Sequence, residues 1–183
     1  FHIYVYHRSV TDSSGTTGKL RLVFATICII GMGALGGSLA AALRLYAEKS
    51  RVIGVSRQET LDASRAKNLI DEGYWYDDMA TAVGQADLTV LCTPVSVIME
   101  QLPKVAAAAP AGALITDVGS TKKVILDVAA QALQGRDASF LGGHPMAGSE
   151  QRGVRVSNAV MFRDRCWVLI ESDSCPTEMI DRF

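Results

Sequence analysis

The segment Ile27-Cys28-Ile29-Ile30-Gly31-Met32-Gly33-Ala34-Leu35-Gly36-Gly37-Ser38-Leu39-Ala40-Ala41-Ala42-Leu43 restricts the possible folds more than any other in the chain. Its apolar, largely β-branched opening suits a strand, its clustered glycines a turn, and its alanines and leucines a helix. Gly31, Gly33 and Gly36 have the spacing G-x-G-x-x-G, which gains meaning when a strand precedes it and a helix follows. Gly31 permits the tight turn, Gly33 lets a pyrophosphate approach the backbone, and Gly36 lets the helix pack closely on the strand. Met32 lies inside that turn, and the free N–H groups around Ala34 and Leu35 face the anion at the positive end of the helix.

A membrane reading competes for the same residues. No residue from Leu22 to Leu43 is charged, Lys19 and Arg21 stand just before, and Gly33 with Gly37 forms G-x-x-x-G, as in a signal anchor or a dimerising membrane helix. The glycines would weaken such a helix at its middle. The strand–helix alternation that follows also needs a first strand here, so the nucleotide turn is the preferred reading.

That alternation is regular. Strands are expected at Arg51–Ser56, Asp87–Cys92, Ala113–Val118, Phe140–Gly143 and Cys166–Ile170, with a short one near Gly73–Asp77. Helical stretches follow at Glu59–Gly73, Met79–Ala86 and Val95–Ala109, where Pro103 should end or kink the helix. Another runs to about Leu133 with Ser120 as its cap. Such β-α-β-α order implies an α/β, doubly wound, mainly parallel sheet of the Rossmann type.

Length and charge narrow the rest. The 183 residues can bury one substantial core, and a formal net charge of −1 gives no footprint for nucleic acid. The four cysteines, Cys28, Cys92, Cys166 and Cys175, show neither C-x-x-C pairing nor zinc spacing, which points to free thiols, a reducing cytoplasmic setting and no metal site. Residues 1–20 read as a poorly ordered leader, and 21–183 as a dinucleotide-binding domain that stops short of a further domain.

In doubly wound sheets ligands bind beyond the carboxyl ends of the strands. Those ends carry the glycine turn, Ser56-Arg57, Thr93-Pro94, Gly119-Ser120 and His144. Where a carboxylate would hold the ribose 2′-hydroxyl of NAD, Ser56 and Arg57 stand instead; a hydroxyl and a guanidinium suit a 2′-phosphate, so NADP is favoured over NAD. His144 lies between two glycines and a proline, where an imidazole could take a proton from a substrate hydroxyl as hydride leaves the adjacent carbon. Ser120 can face the cofactor or substrate as well as cap a helix. Glu150 suits a helix dipole or a cationic partner, whereas Asp117, Lys122 and Lys123 read as structural or solvated.

Four runs together resemble one family: Gly31–Ser38, Leu91-Cys92-Thr93-Pro94, Thr116-Asp117-Val118-Gly119-Ser120-Thr121-Lys122 and Gly143-His144-Pro145-Met146-Ala147-Gly148-Ser149-Glu150 look like the prephenate and arogenate dehydrogenases of tyrosine biosynthesis. The resemblance spans roughly Val23 to Ile170. It implies oxidative decarboxylation of a small-molecule substrate, prephenate or arogenate, by hydride transfer to NAD(P). It further implies that His144 contacts the ring hydroxyl, Ser120 orients histidine and substrate, and Ser149 and Glu150 gate the pocket. The family continues into a helical domain that makes a homodimer and supplies a substrate-binding arginine, and this chain stops before it. The alternatives are a β-hydroxyacid-type dehydrogenase, which generally needs a lysine base on a later helix, and a non-catalytic NAD(P)-binding or redox-sensing module.

Overall fold

The computed structural model describes residues 3–6, 24–47, 49–148, 153–170 and 175. A short strand, β1 (Ile3–Tyr6), precedes the first α/β unit, formed by β2 (Thr26–Ile30) and α1 (Ala34–Tyr46). Then come β3 (Arg51–Val55), α2 (Gln58–Ala66), β4 (Glu72–Tyr74) and the single-turn α3 (Met79–Val83). The second half comprises β5 (Leu88–Leu91), α4 (Val95–Ala108), β6 (Leu114–Asp117), α5 (Lys123–Ala132), β7 (Ser139–Pro145) and β8 (Trp167–Ile170).

The sheet order is β1-β8-β7-β6-β5-β2-β3-β4. Strands β4, β3, β2, β5, β6 and β7 are parallel, while β8 runs antiparallel to β7 and β1 antiparallel to β8. From β2 the chain steps outward to β3 and β4, then returns to the other side of β2 for β5, β6 and β7. This reversal between β2 and β5 opens a crevice at the carboxyl ends of those two strands.

Successive residues of β2 serve opposite faces. Ile27 and Ile29 join Leu43 of α1, Leu61 of α2 and Val154 in one buried cluster, whereas Cys28 and Ile30 join Ile98, Leu102 and Ile125 of α4 and α5 in the other. With helices on both faces, the central strands read as unbroken apolar runs. Burial pushes the Cys28 thiol up to about 12, so it packs as a small apolar group.

Local expectations need correction in places, and the rival membrane reading fails. The unbroken rod of the membrane reading does not form: β2 ends at Ile30, and α1 starts at Ala34 after a turn at Gly31 with φ +95°, as the nucleotide-turn reading expects. Among the described residues no helix is long and apolar enough to cross a membrane. Ile3–Tyr6, inside the expected leader, pair with β8 from Ile3–Ile170 to Tyr6–Trp167. Helix α4 runs through Pro103, because the buried Ile98, Leu102, Val105 and Ala106 hold it against the sheet despite the one backbone hydrogen bond a proline gives up. Ser120 caps nothing; α5 begins at Lys123, its N-cap position is Lys122, and no side chain caps it.

Candidate active site

At the glycine corner each position has a different geometric reason. The Gly31 N–H donates to the Val55 carbonyl (2.8 Å) and the Cys92 N–H to the Ile30 carbonyl (2.7 Å), which ties the ends of β2, β3 and β5 together. A methyl group on Gly31 would lie 2.8 Å from Thr93 Cγ2, so the turn touches the loop after β5 directly. At Gly36 a methyl group would lie 2.2 Å from the Gly31 carbonyl oxygen and 3.1 Å from Ile29 Cγ2. At Gly33, the N-cap position of α1, it would meet nothing within 4 Å. Steric crowding inside the protein therefore accounts for Gly36 but not for Gly33. The first turn of α1 has no acidic residue and its N-cap makes no side-chain hydrogen bond, which leaves N–H groups for an anionic ligand. Open space above Gly33 and unclaimed donors below it fit the pyrophosphate of a dinucleotide.

Neighbouring strand ends contribute the other groups. Ser56 follows β3, is buried, and its N–H donates to the Tyr74 carbonyl (3.1 Å). Arg57 is exposed at the start of α2. Thr93 is steadied by a hydrogen bond from its Oγ1 to Gln101 Oε1 (2.8 Å), and Pro94 is the exposed N-cap residue of α4. Burial and the nearby Asp117 carboxylate raise the Cys92 thiol pKa, so it stays protonated between them.

His144 is the penultimate residue of β7 and is half-buried. Its Nδ1 lies 3.1 Å from the Val118 carbonyl oxygen. A carbonyl can only accept, so Nδ1 carries the hydrogen and a neutral imidazole keeps its lone pair on Nε2. That arrangement suits a base. Ser120 lies exposed two residues beyond Val118, on the same loop that anchors the histidine. Ser149 and Glu150 fall outside the described residues.

Little in the sequence pointed to what surrounds His144. Asp117 is fully buried and pairs with Lys122, whose side chain is 10% exposed. The reading of Asp117 and Lys122 as structural or solvated resolves into a buried ion pair beside the candidate base, while Lys123 is solvated and pairs with Asp127. Burial pushes the Asp117 carboxyl up and the Lys122 ammonium down; their mutual attraction and the Gly119 and Gly143 N–H groups oppose this for the carboxylate. An acidic residue closing an apolar strand, with a lysine five positions on, was the available signal. Among the described residues no cluster of His, Cys, Asp and Glu could hold a metal ion.

Fold and corner together define a dinucleotide-binding domain of the doubly wound class. The family profile described as "Prephenate dehydrogenase, nucleotide-binding domain" matches residues 39–183, and the chain belongs to that family. It is 33% identical over 155 residues to the prephenate dehydrogenase of Lactococcus lactis subsp. cremoris, covering 84% of this chain and 43% of that protein. The crystal structure of prephenate dehydrogenase from Aquifex aeolicus, solved with hydroxyphenyl propionate and NAD+, superposes with a TM-score of 0.77 at 28% identity, over 88% of this chain and 55% of that one. Synechocystis arogenate dehydrogenase gives 0.75 at 30% identity, over 85% and 53%. The chain thus spans about half the length of the relatives it matches.

Proposed function

We propose that this chain is the nucleotide-binding part of a dehydrogenase that oxidatively decarboxylates prephenate or arogenate, with NADP preferred over NAD. The observation that carries the reading is the His144 Nδ1···Val118 carbonyl contact of 3.1 Å, which reserves Nε2 as a proton acceptor at the carboxyl rim of the sheet. The bound nicotinamide supplies the hydride acceptor. The protein's own groups do the rest: Gly31, Met32, Gly33, Ala34, Leu35 and Gly36 seat the pyrophosphate, Thr93 and Pro94 border the nicotinamide side, and Ser56 and Arg57 meet the 2′-phosphate.

On the substrate, hydride leaves the ring carbon bearing the 4-hydroxyl while the hydroxyl proton passes to His144 Nε2. The ring carboxylate departs as carbon dioxide, the electron pair of the broken carbon–carbon bond completes the aromatic ring as a phenolate, and His144 returns the proton to that oxygen to give the phenol. Ser120 orients the histidine and the substrate, and Ser149 and Glu150 gate the pocket. In this reading the whole protein is a cytoplasmic homodimer.

The test is turnover by the whole gene product with each substrate and each cofactor, followed by nicotinamide absorbance. Oxidation of prephenate or arogenate, faster with NADP at limiting cofactor, is expected. Absence of turnover with all four combinations refutes the activity, and a preference for NAD refutes the roles of Ser56 and Arg57.

A further inference from the structure

The ladder between β6 and β7 runs over three pairs, from Leu114 with Ser139 to Thr116 with Leu141. From Gly142 to Pro145, β7 pairs with β8. His144 thus stands where backbone pairing to β6 has given way, and side chains bridge the interval. Thr116 Oγ1 donates to the Leu141 carbonyl (2.6 Å). Asp117 Oδ1 accepts from the Gly143 N–H (3.2 Å), while Lys122 Nζ donates to the Gly143 carbonyl (2.6 Å) and to Asp117 Oδ2. Both polar main-chain groups of the residue before His144 are held by this one ion pair.

The same pair grips the other end of the histidine's hydrogen bond. Asp117 Oδ2 also accepts from the Gly119 N–H (2.8 Å), and Gly119 directly follows Val118, whose carbonyl accepts from His144 Nδ1. A closed circuit results: Val118 carbonyl, His144 ring, Gly143 peptide, Asp117 with Lys122, Gly119 and back to Val118. Buried ion pairs are a weak source of stability, since removing two charges from water offsets most of their attraction, and apolar residues of equal volume often pack as well or better. Packing alone therefore does not account for an aspartate that is 0% exposed beside a lysine that is 10% exposed.

We infer that Asp117 and Lys122 are positioning residues for His144: their ion pair fixes the Val118 carbonyl against the imidazole, keeping the hydrogen on Nδ1 and the lone pair on Nε2. The catalytic consequence rests on the function proposed above, but the tautomer does not.

The experiment uses the whole gene product with ¹⁵N-labelled histidine rings, His144 being assigned by its loss in His144→Asn. Ring nitrogen shifts separate an N–H nitrogen from a bare one, and spectra are taken at rising pH until they no longer change, so that the neutral ring is read. The wild type and Lys122→Arg, which keeps the charge and the donors, should show a single Nδ1–H tautomer. Lys122→Met should show shifts averaged over both tautomers, with kcat reduced about a hundredfold and the KM for cofactor within about twofold of wild type. Lys122→Arg should recover kcat to within about fivefold. A folded Lys122→Met protein with the wild-type tautomer or the wild-type kcat overturns the inference; if that variant does not fold, Lys122→Gln is read by the same two criteria. Should the wild type turn over neither prephenate nor arogenate, the proposed activity fails and the tautomer readout alone decides this inference.

Discussion

Two glycine-to-alanine changes three residues apart should have opposite signatures. At Gly36 the added methyl would sit 2.2 Å from the Gly31 carbonyl oxygen, with Ile29 Cγ2 at 3.1 Å. Ordinary contact between a carbon and its neighbour is about 3.5 Å, so α1 must retreat from the β2 turn by about 1 Å. Overpacking of this kind costs about 1–3 kcal/mol, and the upper end applies because the obstacle is backbone, which cannot rotate away. Alanine returns about 1 kcal/mol of helix propensity, leaving a net loss of about 2 kcal/mol. For a chain of this length that is a drop in Tm of about 4–8 °C. At Gly33 the methyl meets nothing within 4 Å, and φ is −79°, a value that alanine adopts. The loss of a good N-cap residue, some tenths of a kcal/mol, is matched by about 0.4–1 kcal/mol from a less flexible unfolded chain. Gly33→Ala should therefore melt within about 2 °C of wild type. Its methyl, however, occupies the space assigned to the pyrophosphate, and crowding of about 1–3 kcal/mol is about a 5- to 150-fold loss of affinity. Thermal unfolding followed by circular dichroism, and NADPH titration followed by fluorescence, read the two effects separately. The reasoning fails if Gly36→Ala melts like wild type, or if Gly33→Ala binds NADPH with undiminished affinity.

Three further outcomes can be checked. His144→Asn in the whole gene product should lower kcat by about 10²- to 10⁴-fold with cofactor affinity nearly intact, as measured by steady-state kinetics and NADPH titration. Arg57→Ala, an exposed change at the start of α2, should weaken NADP by about ten- to a hundredfold and leave NAD within about twofold, because only the former carries the 2′-phosphate. The third concerns Asp71. Partial burial raises its pKa, but the Val52 N–H (2.7 Å) and the Arg44 guanidinium (2.8 Å) outweigh this and hold it below the ordinary carboxylate value. A lowered folded-state pKa stabilises above the unfolded value and is lost as pH falls through the folded one, so Asp71→Asn should lose less stability than wild type between about pH 5 and about pH 2 in urea titrations.

How far the sequence reached depended on the range of the interaction involved. The β2–turn–α1 unit was legible because its β-branched run, positive-φ glycine and alanine-rich helix each prefer their observed state locally. The placement of Thr93-Pro94 at a strand end on the rim of the glycine turn followed from the same logic, since an apolar strand ending in Thr-Pro must turn there; its direct contact with Gly31 did not. Strand β1 was not legible: its partner β8 lies some 160 residues away, and no local signal specifies that pairing. Ser120 failed as a cap for a related reason. The Asp117–Lys122 pair and the Gly119 N–H shape that loop, and they start α5 at Lys123 instead.

The chemistry of the site divides along the same line. Side chains able to move protons or meet phosphate could be picked out because loops at strand ends concentrate them, and His144, Ser120, Ser56 and Arg57 all stand at such ends. What makes an imidazole useful is which nitrogen carries the hydrogen, and here that is decided by a main-chain carbonyl 26 residues earlier in the chain. A carbonyl is present at every residue, so no letter at position 118 marks it as the partner. Only the parallel pairing that carries β6 beside β7 brings Val118 to the histidine. The fold's contribution to this chemistry is therefore to select one backbone acceptor, and the residues most worth mutating are those, Asp117 and Lys122 first, that hold that acceptor in place.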